Sequence, residues 1–366
     1  MKRATSSERI RKQAAVGRNL FQHDELVAAV CKYFCRGMPV AEIIDEVRQK
    51  LKITLKREEP YRLIAFAAQR GWLRFQAPFA HELAAQIQER FPRLADVRVV
   101  RTGVSDDISY NVAAMLLKEV CGLSRSRSSK SEVHIGFAGG VALRKSARIF
   151  SEMLKEPRAD LPRKIVFHAM VAGFNMQDPS TDPNGFFTYF ASEPALQVKT
   201  SFLGLLAPGI VKTSEIDKLR SIEYIRDAYE RAREIDIIIT SAGGHWQEGH
   251  SGLRNLYSLW APQSLEQLNK AGCIGDMMWR PLGRDGPLSI RTDMRTVTLL
   301  ELGELPDFIK QGKKVVLLLG PCGDCGGSKE EVLSAIVNYR QPLITHLVAD
   351  SRSARALLGQ THAASN

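Results

Sequence analysis

The chain has 366 residues, enough to bury more than one core, and its 44% apolar and 25% charged content excludes bulk disorder. No apolar run has the length of a membrane span, and the basic start at Lys2 and Arg3 leads into no secretory apolar region, so a cytoplasmic protein with no membrane partner is expected. The formal net charge of +11 is concentrated at the amino end, where residues 1–70 carry 15 Lys and Arg against 8 Asp and Glu. That is an electrostatic footprint for nucleic acid, although an anionic membrane surface or simple solubility gives the same count.

Residues 1–22 are polar and basic without periodicity and read as a flexible arm. Leu26, Val30 and Phe34 mark a first helix that stops at Gly37, and Ile43, Ile44, Val47 and Leu51 mark a second after Pro39. A third, from about Arg57 to Arg70, buries Leu63, Ile64 and Ala67 and ends at Gly71; Trp72-Leu73-Arg74-Phe75 then reads as a strand. Three short helices and a strand over residues 23–78 are expected to form a winged helix-turn-helix, whose last helix enters the major groove of double-stranded DNA. Lys56, Arg57, Tyr61 and Arg62 are the candidate contacts. Glu58 and Glu59 repel phosphates unless they cap the helix start or accept from cytosine. The alternative is a small helical interaction or dimerisation domain.

Residues 79–366 are expected to form one α/β domain. Phe79 to Phe91 has amphipathic spacing, Val97 to Val100 reads as a short strand, Ser109 to Val120 as a helix, and Ser124 to Lys130 as an exposed cationic loop. From Val133 onward strands alternate with helices, as in a mostly parallel sheet covered on both faces. The expected strands are Val133 to Phe137, Lys164 to Met170, Ile235 to Thr240, Val315 to Leu319 and Leu343 to Ala349, with one charged helix over Ile216 to Glu234. Three times a strand runs into a glycine-rich turn and a helix. At the carboxyl edge of a sheet such turns present peptide N–H groups that hold an anion or a sugar hydroxyl. The clearest copy is Gly136-Phe137-Ala138-Gly139-Gly140, followed by Leu143, Ala147, Phe150 and Leu154 at helical spacing.

Six cysteines in such a chain read as reduced thiols. Cys322 and Cys325 form a C-x-x-C, a spacing that ligates zinc or cycles as a redox pair. Structural zinc needs four ligands, and the only other close cysteine pair, Cys31 and Cys35, belongs to the amino-terminal region, so the expected reading is a tight turn with no metal.

In order, these segments resemble the SorC family of bacterial transcriptional regulators, the DeoR/SorC-type sugar-binding regulators. The likeness runs through Ala67 to Phe75, Gly136 to Gly140, Leu206 to Val211, Asp236 to Ile239, Gly272 to Asp276, Gly326 to Lys329 and His346 to Asp350. It implies an effector domain similar to sugar-phosphate isomerases and deaminases, a sugar or phosphosugar effector, no cofactor, and self-association into dimers or tetramers on palindromic operators. Carried onto this chain, Gly136, Ala138, Gly139 and Gly140 shape one ligand loop, Gly243, Gly244 and His245 another, and Asp276 and Lys329 supply charged contacts. Ala138 and Ala142 stand where the family carries Gly and a Thr or Ser. The alternative is an enzyme of the isomerase or deaminase type with an accessory helical domain. Asp276, His245 and Glu248 are its available acids and bases.

Overall fold

The computed structural model describes residues 20–73, 77–102, 105–126, 132–173 and 179–360, and the chain divides into two compact units, 1–76 and 77–366. The arm before Leu20 and most of the cationic loop expected over Ser124 to Lys130 lie outside the described residues; Ser124 to Ser126 end a helix.

In the first unit, α1 (Asp24–Cys35), α2 (Val40–Leu51) and α3 (Glu59–Gln69) close around Leu26, Val27, Val30, Ile43, Val47, Leu55, Leu63 and Ala67. Gly37 at φ +77° turns the chain out of α1. The third helix begins two residues later than its periodicity predicts because Pro60 favours the first turn and the Glu59 carboxylate accepts the Lys56 N–H at 2.7 Å. Glu59 therefore caps the turn before α3. Trp72 and Leu73, expected in a strand, form a bend, and Arg74 and Phe75 lie outside the described residues.

In the second unit, α4 (His81–Arg90) leads to strand β1 (Asp96–Val100) and the long α5 (Ser105–Ser126). Phe79, expected at the head of α4, instead bridges Val100. Then come β2 (Glu132–Phe137), α6 (Val141–Met153), β3 (Lys164–Ala169), β4 (Lys199–Leu203) and β5 (Ile210–Lys212). Seven strands lie in the order β1-β12-β11-β6-β2-β3-β4, each parallel to its neighbours, with β6 (Ile237–Gly243), β11 (Lys314–Leu319) and β12 (His346–Asp350) completing the set. Helices cover the sheet, so its central strands are apolar on both faces, as in Ile237-Ile238-Ile239 and Val315 to Leu319. Leu143, Ala147, Phe150 and Leu154 are fully buried, as their spacing predicts.

An antiparallel extension, β7 (Gly275–Met277), β8 (Arg280–Gly283) and β9 (Gly286–Pro287), pairs with the carboxyl end of β6, and β10 (Met294–Thr296) pairs with β5. The expected helix over Ile216 to Glu234 breaks in two: Ile216–Arg220 ends where the Ser221 hydroxyl returns to the Lys218 carbonyl, and Ile222 is extended before α7 (Glu223–Arg231). The remaining helices used below are α8 (Gly252–Trp260), α9 (Pro262–Lys270), α10 (Glu330–Asn338) and α11 (Ser351–Leu357).

Candidate functional site

Chain connections run outward to β3 and β4 on one side of β2, and to β11 and β12 on the other side of β6. The crevice beyond the carboxyl ends of β2 and β6 is thus the topological switch point of the sheet, where α/β proteins bind ligands. The first loop reaches the end of β6 there: a Cβ on Gly140 would lie 3.4 Å from Ser241 Oγ.

The first loop is only partly open. Gly136 does not reach the crevice; it is inside β2, and a Cβ there would meet Met170 Sδ at 2.3 Å. Ala138 N–H donates to Ile239 O at 3.0 Å and Gly140 N–H to Thr181 O at 2.9 Å, so two amides expected to face a ligand are already engaged. Gly139 packs beneath the same carbonyl of Thr181. The hydroxyl missing at Ala142 has no substitute on that residue, whose carbonyl accepts from Ser109 and Ser146.

The second loop converges with Asp276 and Lys329. Gly243 pairs with Asp276 across β6 and β7, and a Cβ on Gly243 would lie 2.2 Å from Asp276 Oδ1. The glycine makes room for the carboxylate, which accepts Ser251 Oγ–H at 2.7 Å. Gly244 makes room for the stem of Lys329, whose Nζ donates to Ala242 O at 3.1 Å. Lys329 stands at the N-cap of α10, as expected, half-buried, with its ammonium reaching back to β6. Burial pushes its pKa down, while Cys322, Asp276, Asp350 and Asp324 pull it back. Burial pushes the Asp276 pKa up, opposed by the Ser251 hydroxyl and the Lys329 charge. Among the described residues no second acceptor takes a proton of Nζ, which carries three. A cavity of about 600 Å³ opens against this assembly, lined by Gly244, His245, Glu248, Cys273, Arg284 and Lys329 among others.

Two further side chains were not legible as a group. His245, at φ +52°, and His250 approach Cys322 and Cys325 from the facing turn, with His250 Nδ1 3.5 Å from Cys322 Sγ. The expectation of no metal rested on counting cysteine pairs, and the second pair near the C-x-x-C is histidine. H-x-x-x-x-H in a glycine-bounded loop was the available signal, but about 70 residues separate it from the cysteines.

In the first unit Lys56 and Arg57 lie on the turn before α3 and Tyr61 and Arg62 on its first turn, all four exposed. Arg62 also lies over the Phe21 ring, 5.8 Å from its centroid.

No family model matches the sequence, and no curated protein matches it. Solved structures do. The full-length sorbitol operon regulator SorC from Klebsiella pneumoniae is 16% identical and superposes with a TM-score of 0.61, over 92% of this chain and 99% of that one. A DeoR family transcriptional regulator from Listeria monocytogenes is 21% identical with a TM-score of 0.55, covering 75% and 97%. A transcriptional regulator from Streptococcus pneumoniae is 16% identical, also at 0.55, covering 76% and 97%. The fold, a mixed α/β body with a mostly parallel sheet, is that of these regulators.

Proposed function

We propose that the chain is a DNA-binding transcriptional regulator whose operator affinity is set by a sugar or phosphosugar-like effector in the crevice between the β2 and β6 loops. The observation that carries this reading is the breadth of the match to the Klebsiella regulator, which covers nearly all of this chain and of that one. In this reading α1, α2, α3 and the segment after them are a winged helix-turn-helix, and Lys56, Arg57, Tyr61 and Arg62 contact the duplex. The body, related in fold to sugar-phosphate isomerases and deaminases, holds the effector through the Lys329 ammonium at the carboxyl edge of the sheet, beside the loops that follow β2 and β6. It also joins the chain to copies of itself as a dimer or tetramer. The enzyme alternative gains no support from these neighbours, each a regulator.

The test is paired. Selection of duplexes from a random library, followed by anisotropy titration, is expected to return a palindromic site whose affinity falls steeply with salt as phosphate contacts release counterions. A screen of sugars and phosphosugars by thermal shift is expected to find a ligand that also changes that affinity. Absence of any selected duplex, together with turnover of a bound sugar, would replace the regulator with the enzyme.

A further inference from the structure

We propose that His245, His250, Cys322 and Cys325 form a site for one zinc-class divalent cation, independent of the regulator reading. The C-x-x-C turn is shaped for it. Cys322 N–H donates to Gly327 O at 2.8 Å, Gly326 N–H donates to Cys322 O at 2.9 Å, and Gly326 sits at φ +67°, which brings Gly327 N–H to within 3.4 Å of Cys325 Sγ. A peptide N–H aimed at sulfur is an outer contact of the kind that orients a metal-bound sulfur.

The histidine pair is presented by an equally closed loop. Gly249 N–H donates to Trp246 O, His250 N–H donates to His245 O, both at 3.2 Å, and the buried Trp246 is tied to Asn269 Oδ1 through its indole N–H at 2.7 Å. That closure puts the two imidazoles on one side, with ring centroids 5.9 Å apart.

Two clusters of ligand atoms share His250: those of His245, His250 and Cys325 lie within 4.8 Å of one another, and so do those of His250, Cys322 and Asp324, so Cys322 completes the set by closing on the first cluster through His250. Tetrahedral zinc, with bonds of about 2.05 Å to nitrogen and 2.3 Å to sulfur, holds N and S about 3.6 Å apart; His250 Nδ1 and Cys322 Sγ are 3.5 Å apart. His245 supplies the independent pointer. Its Nε2 is buried without a hydrogen-bond partner among the described residues, an arrangement that costs free energy unless something fills the position. A Cβ on Gly327 would lie 2.9 Å from that Nε2 and 3.1 Å from Cys325 Sγ, so the glycine keeps clear the space where ring and sulfur meet.

Charge also balances. One divalent cation binds with release of two thiol protons, and the resulting two-thiolate, two-imidazole centre is neutral, which spares the neighbouring Lys329 ammonium a net repulsion. Such a centre would clasp the loop after β6 to the turn after β11 and hold His245 as a ligand.

The test uses the untagged, reduced full chain, stripped with chelator and titrated with cobalt(II). Expected are one equivalent per chain, the visible bands of tetrahedral cobalt with a sulfur-to-cobalt charge-transfer band, and displacement by zinc. The Cys322→Ser/Cys325→Ser double variant is expected to lose the charge-transfer band and to bind about 100-fold or more weakly, a larger loss than that from removing an outer hydrogen-bond partner. Cys35→Ser is expected to behave as wild type. Because the double variant can fail to fold, alkylation of the exposed Cys325 in the wild-type chain is the second measurement, and zinc is expected to slow it about tenfold or more by occupying the thiolate. No charge-transfer band in the reduced chain, a band that survives in the double variant, or alkylation unaffected by zinc each overturns the proposal.

Discussion

Replacing Lys329 with Met separates the charge of the crevice from its packing. Methionine keeps most of the stem that lies over Gly244 and removes the ammonium bonded to Ala242 O. A charge-assisted hydrogen bond contributes about 1.5–3 kcal/mol, and the cost of holding an ammonium away from water disappears with it, so the free protein is expected to lose about 1 kcal/mol or less. Binding responds differently. An ammonium and a phosphate at about 4 Å attract by about 4 kcal/mol at an effective dielectric of 20, and roughly half is returned in stripping water from the phosphate, which leaves ten- to hundredfold in affinity. A neutral sugar is expected to lose less than about threefold. Burial depresses the Lys329 pKa and an anion beside the ammonium raises it again, so the wild-type affinity for a phosphorylated ligand is expected to carry a fall with rising pH that the variant lacks, both proteins sharing the titration of the ligand's own phosphate. Calorimetric titration of a phosphosugar and its unphosphorylated parent at several pH values measures all of this. Equal losses for both ligands, or the same pH profile in both proteins, would refute the assignment of Lys329 to the anion.

Gly243→Ala forces a Cβ to 2.2 Å from Asp276 Oδ1 in a register fixed by β7, and is expected to cost about 1–3 kcal/mol, whereas Gly244→Ala meets only the flexible Lys329 stem at 3.2 Å and costs less; equal melting temperatures would count against this. The Glu119 pKa is drawn down to about 2 by His346 and then Lys314, against the cost of burial. Because the folded value lies below the unfolded one, near 4.5, this contribution is complete above pH 4.5 and lost as pH falls towards 2. It is worth about 2–3 kcal/mol, so Glu119→Gln should flatten the acid limb of a denaturation-against-pH curve, and an unchanged limb would remove Glu119 from the account. Arg62→Ala is expected to reduce the slope of log affinity against log salt for DNA by about 1, and an unchanged slope would take Arg62 off the phosphate backbone.

The sheet was legible because its central strands are apolar throughout and end in glycine, a pattern that few other structures satisfy. The crevice was legible only in part. Gly243 and Gly244 read as backbone that a ligand approaches, yet each accommodates a side chain of the protein's own, Asp276 and the Lys329 stem, across 33 and 85 residues. Spacing along the chain carries no information about such pairings. The break at Ser221 was hidden for a different reason: Ile216 to Glu234 has helical charge spacing on both sides of it, and the hydroxyl that returns to Lys218 O is a local competitor for the helix. Lys329 reads in sequence as a charge at a helix start, and only the backward turn of its stem brings its ammonium to β6.

The hydrogen bonds of the crevice also say what it is suited to accept. Asp350 looks available at the end of β12, but its carboxylate takes the N–H groups of Arg352 and Ser353 and the Ser353 hydroxyl, capping α11. Asp276 is bound by Ser251 and held against ionisation by burial. Both acceptors are committed to the protein, while the Lys329 ammonium gives the described residues one of its three protons. What remains is donor capacity with positive charge, which favours an oxygen-rich or anionic occupant over a cationic amine. An amino sugar is therefore expected to bind more weakly than its parent, and a sugar acid or phosphate more tightly. The opposite order in a competition titration would mean that the carboxylates, and not the ammonium, face the ligand.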